Sequence, residues 1–439
     1  MASLPTGSGF TRRTLLGAGA SAAAVGLLAA CSSGGSGTSG SSGGTIKFWN
    51  QPWGAPAFNT LDKKITEAYT PKSGLGKSSY QVIQWANFTQ KYSTAVASNT
   101  NPAISSGGGT QAFLFESQGK IAYADDLLDS WKKNGLYDDF LPGLVDTLKT
   151  KNGYAAVPYN LDMRVWWYNK ALLEDAGAEV PTDWDSYEAA CAALKKKGIY
   201  GYGTGTGAGD FQGGHHLVSH MINNGGGLFD ADNQPDCVTE KNIEAMDWVL
   251  GLVKSGYVDP RTASYTDQNV FDQWKAKKFG MGWNNAGLGA NVGAIGSDLV
   301  VGSPLTGPGG EKGSLFFPNN IMMYKNTPSK EGTEAFATYY YQNMKPLWAE
   351  KTGIGLPPLK SIAELDVYKS DPNASKILNE WQPISKTWGA PGTNTVFLNV
   401  TTVDGTPAMT TFAQGILSGR TTAKAALEAL QKSLAANAK

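Results

Sequence analysis

The sequence predicts an α/β protein with two lobes. Strand-like and helix-like patterns alternate from residue 45 onward, and the chain behind its leader is too long for one small core. Residues 45–49 alternate, with Ile46 and Phe48 on one face, and read as a first strand. Leu61, Ile65 and Tyr69 are spaced for a helix face, with Asn59 or Thr60 available as its cap. Residues 80–85 read as a second strand. Residues 112–115 read as a third, a short and fully apolar one of the kind a parallel sheet buries. Asn152-Gly153 is a turn signal, and residues 165–168 continue extended. Thr182 with Asp185, or Asp183 with Ser186, can cap the next helix. Ile243, Met246, Leu250 and Val253 stripe another, with Gly256 past its end, and Leu427, Leu430 and Leu434 stripe a last one.

The chain opens on a leader. Thr11-Arg12-Arg13-Thr14-Leu15-Leu16 precedes a run of apolar and small residues ending in Leu28-Ala29-Ala30-Cys31. A basic start, an apolar centre and small residues before a cut site make a secretory signal, and the paired arginines point to the twin-arginine route. The apolar run falls short of the ~20 residues of a spanning helix. Its ending resembles a bacterial lipoprotein box. That resemblance implies a signal over residues 1–30 and a lipidated Cys31 as the new N-terminus, holding the protein on the outer face of the cell membrane. Residues 31–44 are almost all Ser, Gly and Thr, a flexible tether.

Composition narrows the partners. The 37 Lys and Arg balance 37 Asp and Glu; without the two leader arginines, 35 basic residues face 37 acidic, a net −2. Nucleic acid demands a basic footprint, so it is excluded as a partner. Charged residues make up 17% of the chain, below the ~25% usual for soluble domains. The polar surface must therefore rest on Ser, Thr, Asn and Gln, which suits a neutral, hydroxyl-rich ligand. Beyond Cys31, only Cys191 and Cys237 remain. An exported protein permits a bridge between them, but two distant cysteines also serve as buried small hydrophobes.

Several segments then match a known family in order. Gly153-Tyr154-Ala155-Ala156-Val157-Pro158-Tyr159-Asn160-Leu161-Asp162, Trp166 to Gly177, and Pro181 with Trp184 form the first block. Asn224 to Asp230, Val253 to Pro260, Phe279 to Trp283 and Ile416 to Ala423 follow. Together they resemble the extracellular solute-binding proteins of ABC sugar importers. The resemblance implies the two-lobed periplasmic-binding-protein fold, in which ligand closes a hinged interlobe cleft. It implies lobe 1 over 45–155 plus 281–324 and lobe 2 over 156–280 plus 325–439. It also implies a carbohydrate ligand, ABC permease subunits as partners, a monomer, and a membrane contact through the lipid alone. One departure is the Ser/Gly-rich stretch over 104–111, where the family often has a Pro-Asp-Val-like strand entry.

The candidate chemistry is binding. His215, His216 and His220 sit together, but Leu217 stands where a zinc-protease glutamate must be, and a third zinc ligand is missing. Gly76-Lys77-Ser78 ends like a P-loop, yet Pro71 occupies its first glycine. Gly40 to Gly44 fits a nucleophile elbow only formally, inside the tether. No catalytic group, metal or cofactor is expected. Ligands of α/β lobes meet the carboxyl ends of strands. A sugar offers apolar faces to aromatic rings and hydroxyls to amides and carboxylates. The strand ends put forward Gln51, Trp53, Trp85, Asn87 and Glu116. Tyr159, Asp162, Trp283, Asn284 and Asn285 follow from the crossovers, and Phe211, Gln212 and Trp388 from the second lobe. Trp166, Trp167, Trp248 and Trp274 are expected to pack. The rival reading is an exported carbohydrate-active hydrolase or lyase, which needs two cleft carboxylates ~5–10 Å apart or an activated Tyr or His.

Overall fold

The computed structural model describes residues 43–84, 88–207, 211–293, 298–404 and 406–437. The leader, Cys31, nearly all of the tether, Trp85 and Asn87 lie outside the described residues. No helix among the described residues is long and apolar enough to cross a membrane.

In chain order the strands are β1 (Ile46–Asn50), β2 (Ser78–Val82), β3 (Ile104–Gly107), β4 (Ile121–Ala122), β5 (Lys149–Thr150), β6 (Gly153–Tyr154), β7 (Val157–Met163), β8 (Val165–Asn169), β9 (Met281–Asn284), β10 (Leu299–Val301), β11 (Ser314–Tyr324) and β12 (Ser385–Lys386). The larger sheet runs β12-β11-β3-β1-β2, with β4 and β7 also on β11. In it β1 is parallel to β2 and β3, while β11 is antiparallel to β3, β4 and β7. The smaller sheet, β10-β8-β9, is antiparallel. β5 and β6 make a hairpin across Lys151-Asn152, one residue before the expected Asn152-Gly153, because Gly153 already pairs with Thr150.

Residues 112–115 are not a strand. They lie in the helix Gln111–Ser117, with Ala112, Phe113 and Phe115 buried. A four-residue apolar run carries no period that separates a strand from a buried helix turn. The third strand is instead the Ile-Ser-Ser-Gly of β3, wholly buried because β1 and β11 flank it on both sides. The first helix begins at Pro56 rather than at Asn59 or Thr60; proline suits a first helical position, where its missing N–H costs nothing. Asp183 and Ser186 do form a reciprocal capping box on the helix Trp184–Lys196. The helices Glu240–Lys254 and Ala423–Asn437 carry the expected stripes, burying Met246, Leu250, Leu427, Leu430 and Leu434.

Phe336, Tyr340 and Trp348 share a core with Phe48, Phe58 and Tyr159, so residues 330–363 pack on the first sheet. β9 pairs with β8, and Trp283 stacks on Trp166, so residues 281–301 belong with the second sheet. β11 carries the chain back to the larger sheet, where it pairs with β3 and β7. Cys191 and Cys237 are free and buried. Burial raises both thiols, Cys237 to about 12.

Candidate functional site

The carboxyl end of β1 is wired by one hydroxyl. Ser106 Oγ on β3 accepts from the Gln51 backbone N–H at 3.2 Å and from Trp53 Nε1 at 3.1 Å. Its single proton must then go to Gln51 Oε1, 2.6 Å away. This orients the amide and leaves Gln51 Nε2 buried without a partner among the described residues. Gln111 repeats the pattern. The Gly108 N–H donates to its Oε1 at 3.0 Å, and its Nε2 is buried with no partner among the described residues. A Cβ on Gly107 would lie 3.1 Å from Gln111 Oε1 and 3.4 Å from Asn320 Oδ1, so both side chains meet over that bare glycine.

β11 carries the row onward. Gly107 pairs with Asn320, Asn160 with Asn319, and Asp162 with Phe317. Asn319 Nδ2 donates to Asn160 Oδ1 at 3.0 Å, and Asn160 Nδ2 is another buried donor without a partner among the described residues. Asn160 and Asp162 share a strand face because side chains alternate.

Past Asp162 the polar atoms form a chain. Arg164, buried itself, donates from Nη1 to Asp162 Oδ1 and from Nη2 to His215 Nδ1, both at 2.8 Å. Arginine only donates, so His215 Nδ1 accepts and its Nε2–H points to Asp404 Oδ1 at 2.7 Å. The guanidinium lies over the Phe317 ring, 4.9 Å from its centre. His215 contacts Phe317 and Trp388 at 4.7 and 5.5 Å. Arg164 Nε and Trp388 Nε1 remain buried without partners among the described residues.

The structure thus brings Gln51, Trp53, Asp162 and Trp388 into this row, with Gln212 opening the helix Gln212–Asn223 and exposed Phe211 just before it. The remaining candidates sit elsewhere. Glu116 ends a helix and accepts from Tyr123, at 2.7 Å, and Asn152, at 2.8 Å, holding the hairpin; misplacing the third strand misplaced it. Tyr159 is the extra residue where the β7–β11 register slips, and its ring turns into the first core. Trp283 has no exposed surface: it stacks on Trp166 at 4.3 Å and donates to His220 Nε2 at 3.1 Å. Asn284 and Asn285 use their side-chain oxygens on the backbone N–H groups of Asn285 and Gly287.

Ser106, Gln111, Asn319 and Phe317 did not stand out in the sequence, whereas Asn160, Arg164 and His215 lie beside residues that did. Strand alternation alone would have paired Asn160 with Asp162. The three histidines have separate duties. His216 meets Thr204 at 2.7 Å, and burial, then the Arg164 charge, holds it well below the usual histidine range. Burial pushes His220 down to about 3. Among the described residues no group of three His, Cys, Asp or Glu could hold a metal.

Between Phe211, His215, Trp388, Asp404 and Met409 the free volume is about 10 Å³, the space of a single water. A groove of about 780 Å³ lies elsewhere, lined by Lys195, Tyr200, Gln414 and Arg420. It contains none of the oriented donors of Gln51, Gln111 and Asn160.

Two sheets joined by crossover strands, with unpartnered polar groups and aromatic rings along the β1–β3–β11 row, describe a binding protein. The sequence profile of the bacterial extracellular solute-binding proteins matches residues 52–344, and the chain belongs to that family. A structure of a sugar transporter from Arthrobacter chlorophenolicus, with bound laminaribiose, is 47% identical with a TM-score of 0.83, over 90% of this chain and 100% of that one. The diacetylchitobiose binding protein DasA of Streptomyces coelicolor is 26% identical over 276 residues, 60% of this chain and 61% of its own. A maltose-bound T. maritima protein, 16% identical with a TM-score of 0.71 over 89% of this chain and 98% of its own, shares the two-lobed fold.

Proposed function

We propose that this chain is the substrate-binding lipoprotein of an ABC importer, capturing a short oligosaccharide by hinge closure and delivering it to permease subunits. One observation carries the reading. Among the described residues, the buried amide N–H groups of Gln51, Gln111 and Asn160 lack partners in the row that carries the rings of Trp53, Phe317 and Trp388. Such a wall meets hydroxyl and ring oxygens with its amides and sugar faces with its rings. The laminaribiose in the 47% identical protein supports a glucose disaccharide or a longer homologue as ligand. The walls around His215 and Trp388 leave room for no sugar ring, so entry requires them to part, as a hinge allows.

In this reading lobe 1 gathers around the larger sheet with residues 330–363, and lobe 2 around the smaller sheet with the helices 184–196, 212–223, 240–254, 407–417 and 423–437. Asp162 and Trp388 flank the closing face. Cys31 carries the lipid after twin-arginine export, and the body works as a monomer. Titration calorimetry against a sugar panel tests the ligand: saturable heat is expected with laminaribiose. Silence from every carbohydrate, with heat from an amino acid or peptide, overturns it. Cys31→Ala is expected to move the protein from the membrane fraction to the medium.

A further inference from the structure

Beneath Gln51 and Trp53 lies a buried carboxylate that touches neither. Asn50, at the end of β1, donates from Nδ2 to Asp62 Oδ2 at 2.6 Å and to the Tyr159 hydroxyl at 3.1 Å. The Tyr340 hydroxyl donates to Asp62 Oδ1 at 2.6 Å. With that proton committed, the Tyr159 hydroxyl donates to Tyr340 across 2.8 Å. The four residues close a ring in which each donor meets an acceptor in one direction, and all four are buried.

The ring has one outlet. With both Asn50 amide protons committed, Asn50 Oδ1 must face the other way. It accepts there from the Gln51 N–H and from Trp53 Nε1, each at 3.0 Å. The charge on Asp62 therefore decides which way the Asn50 amide points, and Asn50 shares with Ser106 the holding of the indole and of the Gln51 N–H. A carboxylate kept in a core is costly, and a hydrophobic residue there would spare that cost. What the carboxylate supplies is a pair of acceptors that cannot be turned around.

We propose that Asp62 is a positioning residue for ligand binding, which acts through Asn50 to fix Trp53 and Gln51 at the mouth of the site. The proposal rests on Gln51 and Trp53 as ligand contacts, and its test separates the two ideas. In Asp62→Asn the new amide can keep an oxygen toward Tyr340 only by turning N–H groups on Asn50 Nδ2. Relief by flipping Asn50 would turn N–H groups on Trp53 Nε1 and Gln51 N instead. The double variant Asn50→Asp, Asp62→Asn exchanges the two groups. It restores an acceptor toward Trp53 and Gln51 and loses only the contact with Tyr159.

The first readout needs no ligand: the Trp53 indole N–H resonance of the full chain, assigned with Trp53→Phe. It is expected to move in Asp62→Asn and to return toward its original position in the double variant. The second is the affinity for laminaribiose, expected to fall by about tenfold, the equivalent of one misdirected hydrogen bond, and to recover in the double variant. An unmoved resonance with unchanged affinity overturns the proposal. So does a double variant that stays as weak as the single one, because a general structural role would add the two losses. A wild-type chain that binds no oligosaccharide, with the resonance behaving as stated, overturns the functional reading and leaves the positioning intact.

Discussion

Two polar networks in this protein use the same kinds of groups and end differently. The Asn50–Asp62–Tyr340–Tyr159 ring closes on itself: every proton is committed and all four residues are buried. The Asp162–Arg164–His215–Asp404 chain stays open. Its terminal carboxylates keep about a third of their side-chain surface, 35% for Asp162 and 33% for Asp404, while Arg164 at its centre keeps 3%. Arg164 Nε along its length has no partner among the described residues. A closed ring has nothing to offer a ligand and much to offer its neighbours in orientation. A chain whose buried cation keeps an unpartnered Nε among the described residues, next to the half-open Asp162, has capacity left over. Buried polar groups in the same fold are thus read by where their hydrogen bonds end, not by their residue types.

The largest test of this division concerns what supports the chain from below. The helix Gln212–Asn223 sends His215 into the chain and, just over a turn later, His220 into the aromatic cluster of Trp166, Trp184, Trp248 and Trp283. Trp283→Ala removes a fully buried indole and its bond to His220. A loss of about 3–5 kcal/mol is expected, measured by denaturant unfolding. A variant that unfolds like the wild type but loses its ligand would return Trp283 to the binding surface.

Acid separates the networks next. Burial holds His220 at about 3 against an ordinary 6.5, so the unfolded chain binds the extra proton between those values. Stability therefore falls as pH drops through that window, by up to about 1.4 kcal/mol per unit. His216 acts in the same direction. Asp62 opposes them. Burial first, against the lowering bonds from Tyr340, Tyr80 and Asn50, raises it from 3.8 to about 6, so the folded chain binds more protons there and gains stability as pH falls from 6 to 4. The Tyr80 hydroxyl, facing it from β2, is raised by burial and by the Asp62 charge. Asp62→Asn is thus expected to steepen the acid-side loss by up to about 1.4 kcal/mol per unit. Unfolding midpoints at pH 4, 5 and 6 that match the wild type would show that Asp62 does not titrate there.

The open row should answer to affinity more than to stability. Asn160→Ala removes an unpartnered donor and strands one amide of Asn319. A cost of about 1–2 kcal/mol in oligosaccharide binding is expected, about 5- to 30-fold in Kd, with a smaller loss in unfolding free energy. Equal losses in both measurements would make Asn160 part of the scaffold, like the ring.

How far these networks were legible in the sequence follows from the range of the forces. Local signals read well. The Asp183–Ser186 cap and the stripes of the 240–254 and 423–437 helices lie in neighbouring residues, and the structure carries them. Gln51 and Trp53 stand out in the sequence because they follow a strand, and the structure puts them at the end of β1. The ring was invisible because its members come from four elements, as far as 278 residues apart for Asp62 and Tyr340. The histidines drew attention as a local cluster, yet each one's partner lies 12 to 189 residues away. Polar β3 concealed a buried strand, because its burial comes from its neighbours β1 and β11 rather than from its own residues.

The smallest expected effect sharpens that point at Glu116. Sequence reasoning placed it at a strand end, in the ligand's path. The structure gives its Oε1 to Tyr123 and Asn152 on the hairpin side, at 2.7 and 2.8 Å. Glu116→Ala is therefore expected to leave oligosaccharide affinity unchanged. It should cost about 1 kcal/mol of stability, the net worth of one or two partly exposed hydrogen bonds. Calorimetry and unfolding on the same sample decide it. A fall in affinity without a fall in stability would carry the binding row out to the hairpin, and the division between open and closed networks would then have to be redrawn around the end of that helix.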